Sequence, residues 1–335
     1  MCADSSAVEH DPMVRELAAS CVGRVEAQAS LGELTTLKVG GSTRALLIAE
    51  RDEDLLAAGE ICAAYAVPFL VVGRGSNLLV ADRGWEGLVI TLGRGYRGFR
   101  LLDTDSGPHE RQLVVAGAAE PMPLLASRLA EEGIAGFAWA AAVPGSIGGA
   151  VKMNAGAHGR ELADHLVSAD VVRLNPRRGQ ETPAPPRTGR GTPSASELRL
   201  GYRRSSLAQD AVVVAATLAF ERGEAAVERG RIAEVKAWRR AHQPINQPNC
   251  GSVFTNPPGD SAGRLGETAG GKGLRVGGAR VSELHANFIV TQPGATAADV
   301  HALVLRLQRL VEERHGQRLR PEVVMVGDFE DETHG

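Results

Sequence analysis

Two glycine-rich stretches carry the residue types with which a backbone can hold a phosphate: Gly73-Arg-Gly-Ser-Asn-Leu78, and Val143-Pro-Gly-Ser-Ile-Gly-Gly-Ala150 with its continuation Val151-Lys-Met-Asn-Ala155. Glycine loses more chain entropy on folding than any other residue. A dense cluster therefore marks turns with positive φ, or a backbone that something approaches closely. Pro144-Gly145-Ser146 can begin a turn, and Gly148-Gly149 leaves amide N–H groups uncovered for phosphate oxygens. In the earlier stretch Gly73 and Gly75 open the backbone, Ser76 offers a hydroxyl and Asn77 tolerates left-handed geometry. Either stretch alone fits an ordinary tight turn as well. A third pattern, Gly93-Arg-Gly-Tyr-Arg-Gly98, has the G-x-G-x-x-G spacing, but a dinucleotide fingerprint needs a helix to open at its glycines. Here Phe99-Arg-Leu-Leu reads as a strand, so a Rossmann site is rejected.

The elements that would position these turns follow from hydrophobic period. An apolar strand at 45–49 is followed by Glu50-Arg-Asp-Glu-Asp54, acidic residues suited to a helix start. That helix continues through Leu55, Leu56, Ile61, Cys62 and Tyr65, stops before Pro68, and gives way to a short strand at 69–72 that delivers the first glycine turn. Later strands are expected at 113–116, 166–174, 212–220 and 287–291, with a closing strand at 320–327. Helices are expected at 123–132, 225–240 and 262–269. In the last helix Val300, Leu303, Val304, Leu307, Leu310 and Val311 share one face, and Gly316 lies past its end. Val14, Leu17, Ala18 and Cys21 mark a short helix behind a polar leader. Residues 175–197, rich in Pro, Arg, Gly, Thr and Ser, read as a mobile loop.

Composition narrows the partners. A chain of 335 residues predicts two or three compact units. With a net charge of -3 it offers no basic field to a nucleic-acid backbone. The amino terminus lacks a basic and apolar secretory pattern, and the longest strongly apolar run, 211–220, is too short for a membrane helix. Cysteines 2, 21, 62 and 250 are scattered, which argues against a disulfide framework or a zinc site. A cytoplasmic protein binding neither nucleic acid nor membrane is expected.

Further motifs turn these pieces into a pattern. They are Thr35-Thr-Leu-Lys-Val-Gly-Gly41, Gly201-Tyr-Arg203, Cys250-Gly-Ser-Val-Phe-Thr-Asn-Pro257, Gly277-Gly-Ala-Arg-Val-Ser-Glu-Leu-His-Ala-Asn-Phe-Ile289 and Arg320-Pro-Glu-Val323. Together with the two glycine stretches, in this order, the chain from Leu34 to Gly327 resembles the UDP-N-acetylenolpyruvoylglucosamine reductases, flavoenzymes of peptidoglycan precursor synthesis. The resemblance implies an α+β protein: a two-subdomain FAD-binding fold of the vanillyl-alcohol-oxidase type plus a smaller α+β substrate-binding domain. The implied divisions are a leader at 1–30, FAD subdomains at 31–92 and 93–240, a substrate domain at 241–318, and a strand at 319–335 returning to the active site. An uninterrupted strand over 277–291 is expected, as in the shorter, type II members. A monomer is expected.

The resemblance also assigns roles. Non-covalent FAD would be held by Gly73, Arg74, Gly75, Ser76, Asn77, Leu78, Pro144, Gly145, Ser146, Gly148, Gly149 and Ala150, with Asn154 and Ala155 near the flavin ring. NADPH is the implied hydride donor and UDP-N-acetylglucosamine enolpyruvate the substrate. Arg203 matches the arginine that binds the enolpyruvyl carboxylate, a planar guanidinium suited to bidentate contact. Glu322 matches a glutamate that stabilises the enol intermediate while protonated, and Ser252 the serine that protonates it. These three are expected to converge on one site. Tyr202, Asn256 and His285 bear on substrate binding, and Arg239 and Arg240 either neutralise FAD phosphate or lie solvated. On their residue types alone, Arg203 fits a surface arginine beside Arg204, Ser252 a turn, and Glu322 an ion-pair partner of Arg320.

Two departures stand out. Thr255 replaces the lysine usual before Asn-Pro, which weakens diphosphate binding unless Lys272 or Arg275 compensates. Gly266 replaces a bulky apolar residue and should loosen its helix by roughly 1 kcal/mol. Rival readings are another FAD-dependent oxidase of the same fold, with His158 as the candidate for covalent attachment, and a non-catalytic UDP-sugar- or FAD-binding protein. The reductase reading predicts that acid denaturation releases all the yellow colour into the supernatant, checked by absorbance; colour retained on the chain indicates the oxidase.

Overall fold

The computed structural model describes residues 11–102, 111–174 and 189–329. Much of the 175–197 stretch and the leader's first ten residues lie outside them. The chain divides into two compact units built from interleaved segments. The first comprises residues 1–27, 45–73 and 87–236; the second comprises 28–44, 74–86 and 237–335.

In the first unit, helix α1 (Pro12–Ser20) is capped by Asp11. It packs with α2 (Asp52–Ala64) on a four-stranded sheet ordered Arg24–Ala27, Thr43–Ala49, Trp85–Leu92, Phe69–Val71. Phe69–Val71 runs parallel to Trp85–Leu92, the signature of a crossover connection. The carboxylate of Asp54 is fully buried and accepts N–H bonds from Val22 (2.9 Å), Gly23 (3.0 Å) and Glu50 (2.9 Å). One side chain thereby ties the end of α1 to the start of α2.

A second, six-stranded antiparallel sheet carries the other core. Its order is Arg190–Gly191, Leu166–Arg173, Ala211–Arg222, Gln112–Gly117, Phe99–Leu101, with Ile134–Ala135 pairing the end of the long central strand. Helix α3 (Met122–Glu131) contributes Met122, Leu125, Ala126 and Leu129 to the core, and the short α4 (Ile147–Met153) contributes Ile147, Ala150 and Val151. The apolar positions are spaced as helices on one face of a sheet require. The long α5 (Ala225–His242) buries only Glu228 and Ile232.

Residues 189–197 are not the loop that composition suggests. Arg190–Gly191 adds to the sheet edge opposite Val172 and Val171. Ser194 opens the one-turn helix Ala195–Leu198 with a reciprocal Ser194–Glu197 capping box. Local capping and one β-ladder outweigh polar composition. The G-x-G-x-x-G decoy lies between two strands, as read from sequence, with a 3-10 turn at Arg94–Tyr96 within it. Gly93 and Gly95 serve packing against Glu50, since a Cβ on Gly95 would sit 2.0 Å from the Glu50 carbonyl oxygen, whereas Gly98 has positive φ and open space.

In the second unit, α6 (Ala262–Thr268) and α7 (Ala297–His315) pack with a three-stranded antiparallel sheet of Arg275–Val276, Ala279–Val281 and Ile289–Thr291. Thr296 and Asp299 form a capping box, Asp82 accepts the N–H groups of Ala297 (2.8 Å) and Ala298 (2.9 Å), and left-handed Gly316 ends α7. The expected continuous strand over 277–291 is broken. Ser282 Oγ accepts from Leu284 N, His285 O accepts from Phe288 N, and the chain turns through 282–288 before re-entering the sheet. The closing strand is also shorter than expected. Only Val324–Val326 forms a ladder, parallel to Leu78–Val80, because Pro321 lacks an N–H and the Glu322 and Val323 amides donate elsewhere. Among the described residues no helix is long and apolar enough to cross a membrane.

Burial raises the pKa of the Asp54 carboxyl, but the surrounding backbone N–H groups outweigh it and hold the group below the usual range. Asp54→Asn should therefore lower unfolding free energy at pH 7 by about 2 kcal/mol. The advantage of the carboxylate is complete above the ordinary Asp pKa of ~4 and is lost as pH falls through the lower folded value. Urea titrations of both proteins at pH 7 and at low pH check this: the gap must narrow in acid.

Candidate active site

The glycine helix α4 is positioned through its backbone. Pro121 and Ser146 form an isolated antiparallel bridge: Met122 N–H donates to Gly145 O (3.0 Å) and Ile147 N–H to Glu120 O (3.0 Å). Gly148 N–H donates to Ala118 O at 2.8 Å. That corrects the expectation of two uncovered amides at Gly148-Gly149, since the first is already committed to the fold. A Cβ on Gly148 would lie 3.1 Å from Ala118 Cβ, so this glycine lets the helix start sit against the loop after Gln112–Gly117. Gly149 is different, because a Cβ there would meet only Ser146 Oγ, at 3.6 Å. Among the described residues the N–H groups of Gly145, Ser146 and Gly149 make no hydrogen bond.

The other glycine turn begins beside this one. A Cβ on Gly73 would stand 2.6 Å from Ser146 Oγ, so a side chain there would displace the serine hydroxyl where the two turns touch within the first unit. From Arg74 onward the turn belongs to the second unit. There Gly75 (φ +60°), not Asn77, is the left-handed residue, and its carbonyl accepts the Thr36 N–H at 3.1 Å. Asn77 serves another purpose. Its side-chain amide donates to Glu322 O (3.1 Å) and its carbonyl accepts from Val324 N (3.0 Å).

Asn154 ends α4 in the left-handed region (φ 43°) with a fully buried side chain. Its Nδ2 donates to Gly201 O (3.1 Å) and its Oδ1 accepts from Ala163 N (3.0 Å). The neighbouring Ala155 N–H returns to Ala150 O. Gly201 and Arg204 exchange two 3.0 Å backbone bonds, making a tight turn with Tyr202 and Arg203 at its tip. Arg203 has φ 55°, in the third turn position normally taken by glycine or asparagine, at a cost of about 1–2 kcal/mol. Its guanidinium donates to Gly156 O (3.1 Å) and Asn154 O (3.4 Å), and lies 4.8 Å from the centre of the exposed Tyr202 ring. The expected carboxylate-binding arginine and the expected flavin-side asparagine are thus direct neighbours in the first unit.

Ser252 and Glu322 are brought together in the second unit. Asn249 Oδ1 accepts from Gly251 N (2.9 Å), and Gly251 (φ +75°) swings the chain into Ser252. The following carbonyl, Val253 O, accepts both Glu322 N (2.7 Å) and Val323 N (3.3 Å). Asn287, a motif residue to which the sequence assigns no role, fixes this loop. Val253 N donates to Asn287 O, Phe254 N to Asn287 Oδ1, and Asn287 Nδ2 to Phe254 O (2.8 Å), all within a buried pocket. The available signal was an asparagine between Ala286 and Phe288 in an otherwise apolar run. Burial pushes the Cys250 thiol up to about 12, with a smaller electrostatic contribution from Glu322 in the same direction.

The substrate candidates of this unit are held as follows. His285 Nδ1 accepts from Asn287 N (3.2 Å), so the neutral ring carries its proton on Nε2. Burial, reinforced by the Lys272 charge, pushes its pKa below the ordinary histidine value. A Cβ on Gly263 would reach 2.6 Å from His285 Cε1. Asn256 Oδ1 caps Ala262 N (3.0 Å) at the start of α6. Thr255 bonds Arg320 O through both its N–H (2.9 Å) and its hydroxyl (3.3 Å). Gly266 has a packing reason, because its absent Cβ would stand 3.2 Å from Ala286 Cβ. Lys272 pairs with Glu267 at 2.8 Å, and Arg239 Nε donates to Gln243 at 3.0 Å.

A dinucleotide pyrophosphate requires N–H donors on backbone that no side chain shields. The three unbonded amides around Ser146, with open space at Gly149, fit that requirement. A family profile for an FAD binding domain matches residues 43–175. A second, for the UDP-N-acetylenolpyruvoylglucosamine reductase C-terminal domain, matches residues 243–326. Over 308 residues the chain is 41% identical to the UDP-N-acetylenolpyruvoylglucosamine reductase of Trichormus variabilis, covering 91% of this chain and 87% of that one. It is 35% identical over 319 residues to that of Halalkalibacterium halodurans, covering 95% and 99%. The crystal structure of the reductase from Thermus caldophilus superposes with a TM-score of 0.74 at 35% identity, covering 91% of this chain and all of that one. With identity and fold shared along nearly its whole length, the chain belongs to the UDP-N-acetylenolpyruvoylglucosamine reductases, oxidoreductases of peptidoglycan precursor synthesis.

Proposed function

We propose that this chain reduces UDP-N-acetylglucosamine enolpyruvate to UDP-N-acetylmuramate at the expense of NADPH, in the cytoplasm, with Arg203, Ser252 and Glu322 as its catalytic residues. FAD, held without a covalent bond by residues 73–78 and 144–150 together with Asn154 and Ala155, supplies when bound the two-electron carrier between NADPH and substrate. The observation that supports the reading most is the Val253 carbonyl, which joins the Ser252 loop to the Glu322 segment by accepting one hydrogen bond from Glu322 N and one from Val323 N.

The chemistry asked of the chain follows from the substrate. Its C=C bond is conjugated to a carboxylate, so hydride addition at the terminal carbon places negative charge on the carboxylate oxygens. Arg203 binds those oxygens and lowers the cost of that charge, by typically ~3 kcal/mol for one well-placed donor. Its existing bonds to Asn154 O and Gly156 O orient the guanidinium before substrate arrives. Glu322 stabilises the same enol-like intermediate. Ser252 then gives its hydroxyl proton to the carbon bearing the ether oxygen, a C–H bond forms as the O–H bond breaks, and solvent restores the serine. Serine is a weak acid, and the transfer succeeds because the acceptor is carbanion-like. Tyr202, Asn256 and His285 complete substrate binding.

Ser252→Ala should leave the rate of flavin bleaching by NADPH unchanged and slow reoxidation by the enolpyruvyl substrate by about 100- to 10,000-fold. Stopped-flow absorbance at the flavin band separates the two half-reactions; reoxidation at the wild-type rate would remove the serine from the mechanism. Arg203→Lys should keep the charge but lose bidentate geometry, slowing reoxidation by roughly 10-fold or more with bleaching again intact.

A further inference from the structure

Lys152, on the last turn of α4, has no role in the reading above, yet its placement is unusual. The side chain is half-buried, and its ammonium donates to Leu207 O (2.9 Å) and Ala208 O (3.4 Å). Among the described residues no carboxylate stands within ion-pair distance of it. The nearest acidic influence, Asp210, is bound by Arg173 at 2.9 Å. Burial accordingly draws the lysine's pKa below its usual range, with Asp210 opposing the shift. An ammonium that exchanges water for two backbone carbonyls contributes little net stability, so its worth lies in what those carbonyls belong to.

They belong to the strand of chain that leaves the Arg203 turn. Residue 152 grips this segment twice, since its own carbonyl accepts the Ser205 hydroxyl at 2.8 Å. On the other side of the turn Asn154 Nδ2 holds Gly201 O. The end of α4 thus brackets a turn whose third residue is a strained arginine. A left-handed non-glycine residue persists only where its surroundings over-determine it.

We propose that Lys152 is a positioning residue for Arg203: by pinning the 207–208 carbonyls to α4 it keeps the 201–204 turn closed and the guanidinium aimed. The inference rests on the assignment of Arg203 to the substrate carboxylate, and two independent measurements keep them separable. Hydrogen exchange reports the pin itself. In Lys152→Met the amides of residues 201–208 should exchange about tenfold faster, while those of the central strand Ala211–Arg222 stay protected. Stopped-flow reports the consequence. Lys152→Met should slow reoxidation by the enolpyruvyl substrate roughly 10- to 100-fold with bleaching by NADPH unchanged, and Lys152→Arg should recover most of the loss. In an Arg203→Met background, Lys152→Met should cost nothing more.

Unchanged exchange at 201–208, wild-type reoxidation in Lys152→Met, or losses that multiply with Arg203→Met would each overturn the positioning role. If Arg203→Met itself reoxidises normally, the carboxylate assignment falls and takes the inference with it. Should the methionine variant fail to fold, Lys152→Gln, whose amide can reach one carbonyl, carries the same comparisons.

Discussion

A buried asparagine in the wrong half of conformational space organises the first unit. Asn154 must be left-handed for α4 to end where it does, and its side chain is committed in two directions, to Gly201 and to Ala163. Asparagine is among the few side chains that tolerate this backbone, because its short amide can bond locally. Any replacement would either strain the turn or leave a buried carbonyl and a buried N–H unmatched, at about 1–3 kcal/mol each. Helix end, arginine turn and the backbone at Ala163 are therefore one mechanical object.

The second unit solves a similar problem with another asparagine. Asn287 has right-handed or extended backbone but uses its amide and carbonyl to copy a strand partner for Val253 and Phe254. The loop that carries Ser252 is thereby held as firmly as a ladder would hold it, without the straight run of backbone a ladder imposes. The break in the expected 277–291 strand and the precision of the serine loop share this cause: the turn that interrupts the strand is what delivers Asn287.

The glycines divide by the same logic. Several are wanted for what they leave room for within the protein: Ser146 at Gly73, Ala118 at Gly148, His285 at Gly263 and Ala286 at Gly266. Others shape the turn itself, as Gly75 and Gly251 do through positive φ. Gly149, open on its Cβ side and beside unbonded amides, is a position in the second glycine stretch where the space belongs to no protein atom within 3.5 Å. Motif glycines that look equivalent in one dimension thus do three different jobs.

The sequence by itself determined what depends on near neighbours along the chain: the α7 face and its Gly316 stop, the acidic start of α2, the strand that disqualifies the G-x-G-x-x-G decoy, and the ordered motifs that mark the family. Helical and strand periods, caps and turn residues act over a few residues, so they are written locally. Tertiary structure alone decided the rest. Whether the Gly148 amide is available depends on Ala118, thirty residues earlier. Whether 189–197 is loop or sheet edge depends on a vacant ladder beside Val171. Lys152 and Asn287 matter because of carbonyls more than thirty residues away. Hydrogen bonds across such separations leave no period in the sequence, since either partner satisfies its local rules without reference to the other.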